Sequence, residues 1–324
     1  MKIISNKLET NTSVQKNTYS VKNKSTTPNI NLSNNISLWG NNDLSKQASL
    51  NSRNSIGFSA LGVQKTQLSG EAEYTQNDLR LLCADLSAAL LIKNLKKSLP
   101  ADIKTVSKLE NEKTGFYGEV YRIDRKTKDK GVIPYIFVTY KGTDDLKDAT
   151  ESDKAILEGK IPEQYEDAKK LYGKAMDYCE SENLTNPKII ISGHSLGGAL
   201  AQLAAATYNQ EGIAYNGPGM LNQLKELSNE NPSIETNPEK LNKNIMNYIV
   251  KGDIIGNYND HAGNIKLLES ASPVLNKAKE IIIPFHNHLD LETLKYGKII
   301  GNKAVPLPNH LEKLSQHIKS NART

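Results

Sequence analysis

The chain has 324 residues, of which 37% are hydrophobic and 24% are charged, so its length and composition suit one sizeable α/β domain rather than two. Seven basic and two acidic residues in segment 1–56 account for the whole formal net charge of +5. The rest of the chain is close to neutral, and no nucleic-acid partner is expected. Two cysteines, Cys83 and Cys179, are too few for a disulfide framework, which indicates a cytosolic working environment.

The N-terminal segment is rich in Asn, Ser and Thr and has no sustained apolar period. Residues 1–69 are therefore predicted to be disordered. They lack the apolar core of a Sec signal peptide, and no stretch of the chain has the roughly 18 apolar residues of a transmembrane segment. The composition resembles the export signal of bacterial type III effectors, which implies secretion into a host cell and a secretion chaperone as partner. The alternative is an idle extension of a cytoplasmic protein.

Residues 70–324 have the pattern of a folded domain. Asp78 is predicted to cap a helix that continues to about Leu99, before Pro100. The Asn-rich stretch 227–244 is predicted to be a loop. Further predicted elements are strands at 115–125, 133–140, 188–191, 213–215, 245–250 and 280–284 and helices at 162–180 and 199–208. This alternation predicts an α/β sheet covered on both sides, with ligands at the carboxyl ends of the strands.

Ser195 is the candidate nucleophile, because it lies between an apolar strand and an alanine-rich helix. A serine hydroxyl is a weak nucleophile unless a tight turn presents it beside a base and a helix N-terminus. Gly193 and Gly197 suit such a turn, since side chains there would collide where strand and helix approach. The pentapeptide Gly-x-Ser-x-Gly is weak evidence alone, and its context strengthens it. The N–H of Leu196 would then be one oxyanion donor.

A serine hydrolase of this architecture also needs an acid and a later histidine. Asp253 follows the predicted strand 245–250, where an acid can orient an imidazole, although such an aspartate can also merely cap a turn. His288 is the preferred base, because it follows a predicted strand and precedes residues that can begin a helix. His286 is the alternative base.

Thr143 is the candidate for a second oxyanion residue, since it ends a predicted apolar strand and offers both an N–H and a hydroxyl. A simple Gly-Thr-Asp turn is the alternative. The glycine-rich turn at 193–199 has neither a Walker lysine nor Gly-x-Gly-x-x-Gly spacing, so nucleotide binding is not favoured. No cofactor and no metal are expected.

Taken in order, these motifs resemble the class 3 (fungal-type) lipase family of α/β-hydrolases. The motifs are Tyr140–Thr143, Gly193–Ala199, Ala214–Gly219 and Gly252–Ile255. The resemblance covers roughly residues 76–294 and implies a mostly parallel sheet with flanking helices. It also implies that Ser195, Asp253 and His288 form a triad and that Thr143 serves the oxyanion. Lys141 departs from the family, which commonly has arginine before Gly-Thr, and the histidine region is not a clean match.

The substrate is predicted from segment 144–161, which occupies the position of the lid in similar lipases. This segment is strongly polar, with a thin stripe of apolar residues at most. An amphiphile therefore fits better than an oil, and the resemblance permits a phospholipase A1-like serine esterase that acts on a phospholipid at a membrane surface. The alternatives are a triglyceride lipase or simple carboxylesterase, an acyltransferase, and a non-catalytic interaction protein on a hydrolase scaffold.

Overall fold

Strands and helices alternate along the residues that the computed structural model describes, which are 72–142, 156, 159–269 and 291–305. The strands are β1 (Lys104–Asn111), β2 (Phe116–Thr127), β3 (Gly131–Tyr140), β4 (Lys188–His194), β5 (Glu211–Tyr215), β6 (Ile245–Val250), β7 (Asn264–Glu269) and β8 (Lys298–Gly301). The helices are α1 (Gln76–Leu91), α2 (Gln164–Ser181), α3 (Leu196–Tyr208), α4 (Leu221–Glu230), α5 (Pro238–Asn244) and α6 (Leu291–Tyr296).

All eight of these strands form one sheet in the order of the chain. Strands β3 to β7 are parallel, whereas β1, β2 and β8 are antiparallel to their neighbours. Parallel strands need a crossover between them, and α2 and α3 provide two of these crossovers. The predicted fold class, a mostly parallel sheet with flanking helices, is confirmed.

Two apolar clusters cover the two faces of the sheet. One face packs against α2 and α3 through residues such as Val138, Leu171 and Leu200. The other face packs against α1 through residues such as Leu86, Phe137 and Tyr215. Because both faces are buried, the central strands are continuously apolar, and for this reason they could be predicted from the sequence. Cys83 and Cys179 are buried, free thiols.

Helix α1 differs from its prediction at both ends. Thr75, not Asp78, is the N-cap: the Thr75 hydroxyl accepts a hydrogen bond from the Asp78 N–H, and the Asp78 carboxylate accepts one from the Thr75 N–H. The α-helix ends at Leu91, and a 3-10 helix follows at Lys93–Ser98. Residues 93–97 contain one apolar side chain, Leu95, so packing offers little to extend the helix.

The stretch 227–244 is not the predicted loop, because α4 continues to Glu230 and α5 begins at Pro238. The Asn237 side chain accepts hydrogen bonds from the N–H groups of Glu239 and Lys240, at 2.9 and 3.3 Å. An asparagine N-cap followed by proline at the first helical position is a common helix start. Because the whole stretch is rich in asparagine, which is common in loops, this helix start was not predicted.

Several predictions fall outside the described residues. These are the character of residues 1–69, the boundary at residue 70 and the strand at 280–284. Within the described part of the chain, none of the helices combines the length and the apolar character that crossing a membrane requires.

Candidate active site

Ser195 occupies the single-residue turn between β4 and α3. Its backbone has φ 59° and ψ −126°, a conformation that residues other than glycine rarely adopt. The Ser195 N–H donates to the Tyr215 carbonyl oxygen at 2.9 Å, and the Ser195 carbonyl oxygen accepts from the N–H groups of Gly198 and Ala199, at 2.8 and 3.1 Å. Backbone hydrogen bonds to β5 on one side and to α3 on the other therefore hold the strained turn.

Glycines let the strand and the helix approach each other around this turn. A Cβ atom placed on Gly193 would lie well under 3.0 Å from the Gly197 carbonyl group, and one placed on Gly197 would lie equally close to the Tyr140 carbonyl oxygen. Gly217 likewise meets the backbone of Gly198, 2.8 Å from a Cβ position. The predicted reason for glycine at 193 and 197 is confirmed.

The exit of β3 passes directly over the turn. A Cβ atom on Gly142 would lie 2.7 Å from the His194 carbonyl oxygen and 3.2 Å from Cβ of Ser195. Leu196 is the first residue of α3, and the first N–H groups of a helix have no partner within it. The predicted role of the Leu196 N–H as an oxyanion donor is compatible with this position and stays a prediction. Thr143 lies outside the described residues, and its role stays a prediction.

Asp253 is buried, with 1% of its surface exposed, in the loop that follows β6. Its N–H donates to the Val250 carbonyl oxygen at 3.0 Å, and its Oδ1 accepts a hydrogen bond from the Gly256 N–H. The Asn257 side-chain amide donates to the carbonyl oxygens of Val250 and Asp253, at 3.1 and 2.8 Å. Asn257 therefore fixes the backbone at both ends of the turn that carries Asp253.

His261 supports the same loop. Its Nε2 donates to the Gly256 carbonyl oxygen at 2.9 Å, and the N–H of the same residue donates to the Asp253 carboxylate, so Gly256 links His261 to Asp253. Burial lowers the pKa of His261 to about 4, against the smaller raising effects of the Gly256 carbonyl and Asp260. The ring is therefore neutral near pH 7, and its Nε2 is engaged within the loop.

Asn216 connects the serine region to the aspartate region. It has φ 44°, its N–H donates to the Tyr248 carbonyl oxygen at 2.9 Å, and its Oδ1 accepts from the Val250 N–H at 2.9 Å. Asn216 thus joins the end of β5, which holds the Ser195 N–H, to the end of β6, which leads to Asp253. Asn216, Asn257 and His261 were not predicted as supporting residues, although the Asn-Gly pair after a strand was a signal for Asn216.

The sheet register brings these positions to one edge. Tyr140 pairs with Gly193, His194 with Tyr215, and Tyr215 with Tyr248. The carboxyl ends of β3 to β6 therefore lie side by side, with Ser195 and Asp253 beyond them. His286 and His288 are outside the described residues. Among the described residues, no group of three or more His, Cys, Asp and Glu side chains is arranged to hold a metal ion.

A family comparison identifies the class of protein to which this site belongs. Residues 90–283 match the family described as Phospholipase-like, Tle-like phospholipase domain. The chain belongs to this family. The protein is accordingly a lipolytic ester hydrolase, and the expected relation to lipases and phospholipases is confirmed. No curated protein sequence matches the chain.

Solved structures of fungal lipases are similar to this chain. The lipase from Rhizopus microsporus var. chinensis has 18% identity over 70% of this chain and 90% of that chain, with a TM-score of 0.42. Lipase II from Rhizopus niveus has 18% identity over 72% and 97% of the two chains, with a TM-score of 0.44. The triacylglycerol lipase from Penicillium expansum has 12% identity over 62% and 82%, with a TM-score of 0.39.

Proposed function

We propose that the protein is a phospholipase A1-like serine esterase that cleaves an acyl ester of glycerophospholipids with the triad Ser195, His288 and Asp253. The observation that carries the proposal is the conformation of Ser195, φ 59° and ψ −126°, at the start of α3. A serine fixed in a strained turn beside a helix N-terminus is placed to attack a carbonyl carbon. Membership of a phospholipase-like family supports the substrate class.

The proposed reaction has two halves. The Ser195 hydroxyl attacks the ester carbonyl carbon while its proton passes to His288, and N–H groups of Leu196 and Thr143 bind the oxyanion. The ester C–O bond then breaks, and the imidazolium returns the proton to the departing lysophospholipid alcohol. Water next attacks the acyl group, giving a proton to His288, and the fatty acid leaves as Ser195 regains its proton. Asp253 stays ionised and orients the imidazole.

The polar segment 144–161 supports a phospholipid over a triglyceride. A lipase that binds oil surfaces needs a broad apolar face near its site, whereas this segment offers at most a thin apolar stripe, formed by Leu146, Ala149, Ile156 and Leu157. Ile156 is 2% exposed and packs in the core cluster on the α2 side, so it does not contribute to an outer apolar face. A substrate that brings its own polar headgroup suits this surface better.

Ser195→Ala tests the proposal. We expect hydrolysis of phospholipid vesicles and of short-chain nitrophenyl esters to fall by on the order of 10⁴- to 10⁶-fold, with an unchanged melting curve. Ser192→Ala is the matched control, because Ser192 lies on β4, the strand that leads to Ser195, and its Oγ is 3.1 Å from Oγ1 of Thr139. The control should keep its activity within a few-fold. Activity in a folded Ser195→Ala variant would rule out the proposed mechanism.

The base is assigned by comparing His288→Ala with His286→Ala. The true base activates Ser195 for both ester hydrolysis and reaction with a fluorophosphonate, so its removal abolishes both. We expect this double loss for His288→Ala alone. The opposite result would exchange the two histidines and leave the mechanism in place.

We also propose that residues 1–69 deliver the enzyme into a recipient cell, with a secretion chaperone as partner. Their acid-poor Asn, Ser and Thr composition supports this proposal. A chain truncated to begin near Gly70 should keep its turnover on detergent-dispersed phospholipid. Fusion of the N-terminal segment to a reporter should cause contact-dependent export from a bacterium with a type III system, and absence of export would refute this route.

A further inference from the structure

Arg80 is a buried arginine of α1, with 6% of its surface exposed. Among the described residues no carboxylate pairs with it. Its guanidinium instead donates to three backbone carbonyl oxygens: Nε to Leu294 at 2.9 Å, and Nη2 to Gly297 and Thr293 at 3.2 and 3.4 Å. Burying a guanidinium without a counter-charge is unfavourable, so its placement points to a role in holding these carbonyl groups.

The three carbonyl groups belong to α6 and to Gly297, the residue after it, and α6 begins shortly after the candidate bases. Leu291, the first residue of α6, comes three residues after His288 and five after His286. Three residues of chain span at most about 11 Å, so the position of α6 restricts that of His288. A second contact reinforces the first, because Lys295 of α6 pairs with Asp85 of α1 at 2.6 Å.

Arg80 also contacts β5, which accepts the Ser195 N–H, and β6, which leads to Asp253. Its Cζ lies 4.8 Å from the ring centroid of Tyr248 in β6, the strand that precedes Asp253. Its backbone carbonyl oxygen accepts a hydrogen bond from the Tyr215 hydroxyl. The carbonyl oxygen of Tyr215 in turn accepts the Ser195 N–H. The rings of Tyr215 and Tyr248 stack at a centroid distance of 5.7 Å.

We propose that Arg80 is a positioning residue, which holds α6 and the adjoining base in register with β5 and β6, the strands beside Ser195 and before Asp253. The inference rests on the proposed triad. The Arg80 side chain contacts α6 and β6, and its backbone carbonyl oxygen binds β5. A triad loses rate steeply when its members move apart by an ångström. Arg80 is not a catalytic residue, since it acts on the carbonyl groups of α6 and on Tyr248 rather than on substrate.

Arg80→Met and Arg80→Lys test this role. We expect Arg80→Met to lower kcat by about 100-fold with KM changed by less than about threefold, because the base is displaced while the substrate surface stays. Lysine cannot reach three carbonyl groups as a planar fork does, so Arg80→Lys should restore part of the lost kcat. A displaced histidine also loses the electrostatic stabilisation that the Asp253 carboxylate gives to its protonated form. The imidazole is then protonated only at lower pH, so the acidic limb of the pH profile of kcat should move to lower pH.

Arg125→Met is the matched control. Arg125 is also buried, donates from Nε to the Ala72 carbonyl oxygen at 3.0 Å, and has its Cζ 4.6 Å from the ring centroid of Tyr74. Its loss should lower the melting temperature without changing kcat or the pH profile. The proposal would be wrong if Arg125→Met lost as much kcat as Arg80→Met and the acidic limb did not move in the Arg80 variants. Arg80 would then only stabilise the fold.

A double-mutant cycle separates this inference from the proposed function. In a His288→Ala background, Arg80→Lys should cause no further loss of residual ester hydrolysis, since the group it positions is gone. The same fold-loss in both backgrounds would overturn the inference alone. Full activity in Ser195→Ala would overturn the proposed function instead. If Arg80→Met does not fold, the cycle with Arg80→Lys still decides.

Discussion

The turn of Ser195 and the loop of Asp253 lie at the same edge of the sheet but are held in different ways. Backbone hydrogen bonds and close contacts among Gly193, Gly197 and Tyr140 hold the serine turn. Buried side chains, those of Asn257 and His261 among them, hold the aspartate loop. Steric packing does not respond to pH, whereas a polar network does. The two halves of the candidate site should therefore fail under different conditions.

Gly197→Ala should have the largest effect. The added Cβ would overlap the Tyr140 carbonyl group, and the backbone at Gly197 or at Tyr140 would have to shift, which would displace Ser195. We expect a loss of roughly 3 kcal/mol or more in the free energy of unfolding, together with loss of esterase activity. Urea unfolding followed by circular dichroism measures the first, and nitrophenyl ester hydrolysis measures the second.

Gly173→Ala is the control for this substitution. Gly173 lies within α2, and a Cβ there meets nothing within 4 Å. Alanine at this helical position should stabilise the protein by about 0.5 to 1 kcal/mol. If Gly197→Ala unfolded like the wild type and kept its activity, close backbone packing would not be what holds the serine turn.

This contrast explains which part of the site could be predicted from sequence. The serine turn needs glycine at fixed positions and needs an apolar strand before it and a helix after it. The sequence of residues 189–208 shows both the glycines and the flanking pattern. Asp253 could be placed because it follows a predicted strand. Asn257 and His261 could not be recognised, since their role depends on which carbonyl groups the folded loop brings to them.

The same distinction holds for the fold. The central strands β3 and β4 were predicted because burial on both faces makes them continuously apolar. The strands β1 and β7 were missed, because their polar residues give no such run and pairing with neighbours decides their structure. Local signals were stronger at helix starts, yet Thr75 was overlooked as the cap beside the more obvious Asp78.

Protonation of His261 should be the next largest effect. The folded state holds its pKa at about 4, below the ordinary value of 6.5, so the unfolded state binds the extra proton between these values. Stability is therefore complete above about pH 6.5 and decreases as the pH falls towards 4, by about 3 kcal/mol in all. Urea unfolding at pH 7.5 and at pH 4.5 measures the change.

His261→Gln provides the comparison for this prediction. Its amide can still donate to the Gly256 carbonyl oxygen but does not titrate. The variant should be less sensitive to acid than the wild type by about the same 3 kcal/mol, while other titrating groups affect both proteins equally. Equal acid sensitivity of the two proteins would show that the aspartate loop is not the pH-dependent half of the site.

Asn257→Ala should have the smallest effect and define how the aspartate loop fails. The substitution deprives the carbonyl groups of Val250 and Asp253 of a donor, and the Val305 N–H of its acceptor at 2.8 Å. We expect a loss of about 2 kcal/mol in stability and a fall in kcat of about tenfold, because Asp253 loses its backbone support. Asn237→Ala, which removes two hydrogen bonds at the exposed start of α5, is the control and should cost about 1 kcal/mol with kcat unchanged. Equal effects of the two substitutions on kcat would mean that Asn257 supports only the fold. A loss of kcat in Asn257→Ala alone would show that the aspartate loop weakens stepwise as its side-chain contacts are removed. The serine turn, in contrast, is expected to be disrupted by the one methyl group that Gly197→Ala adds.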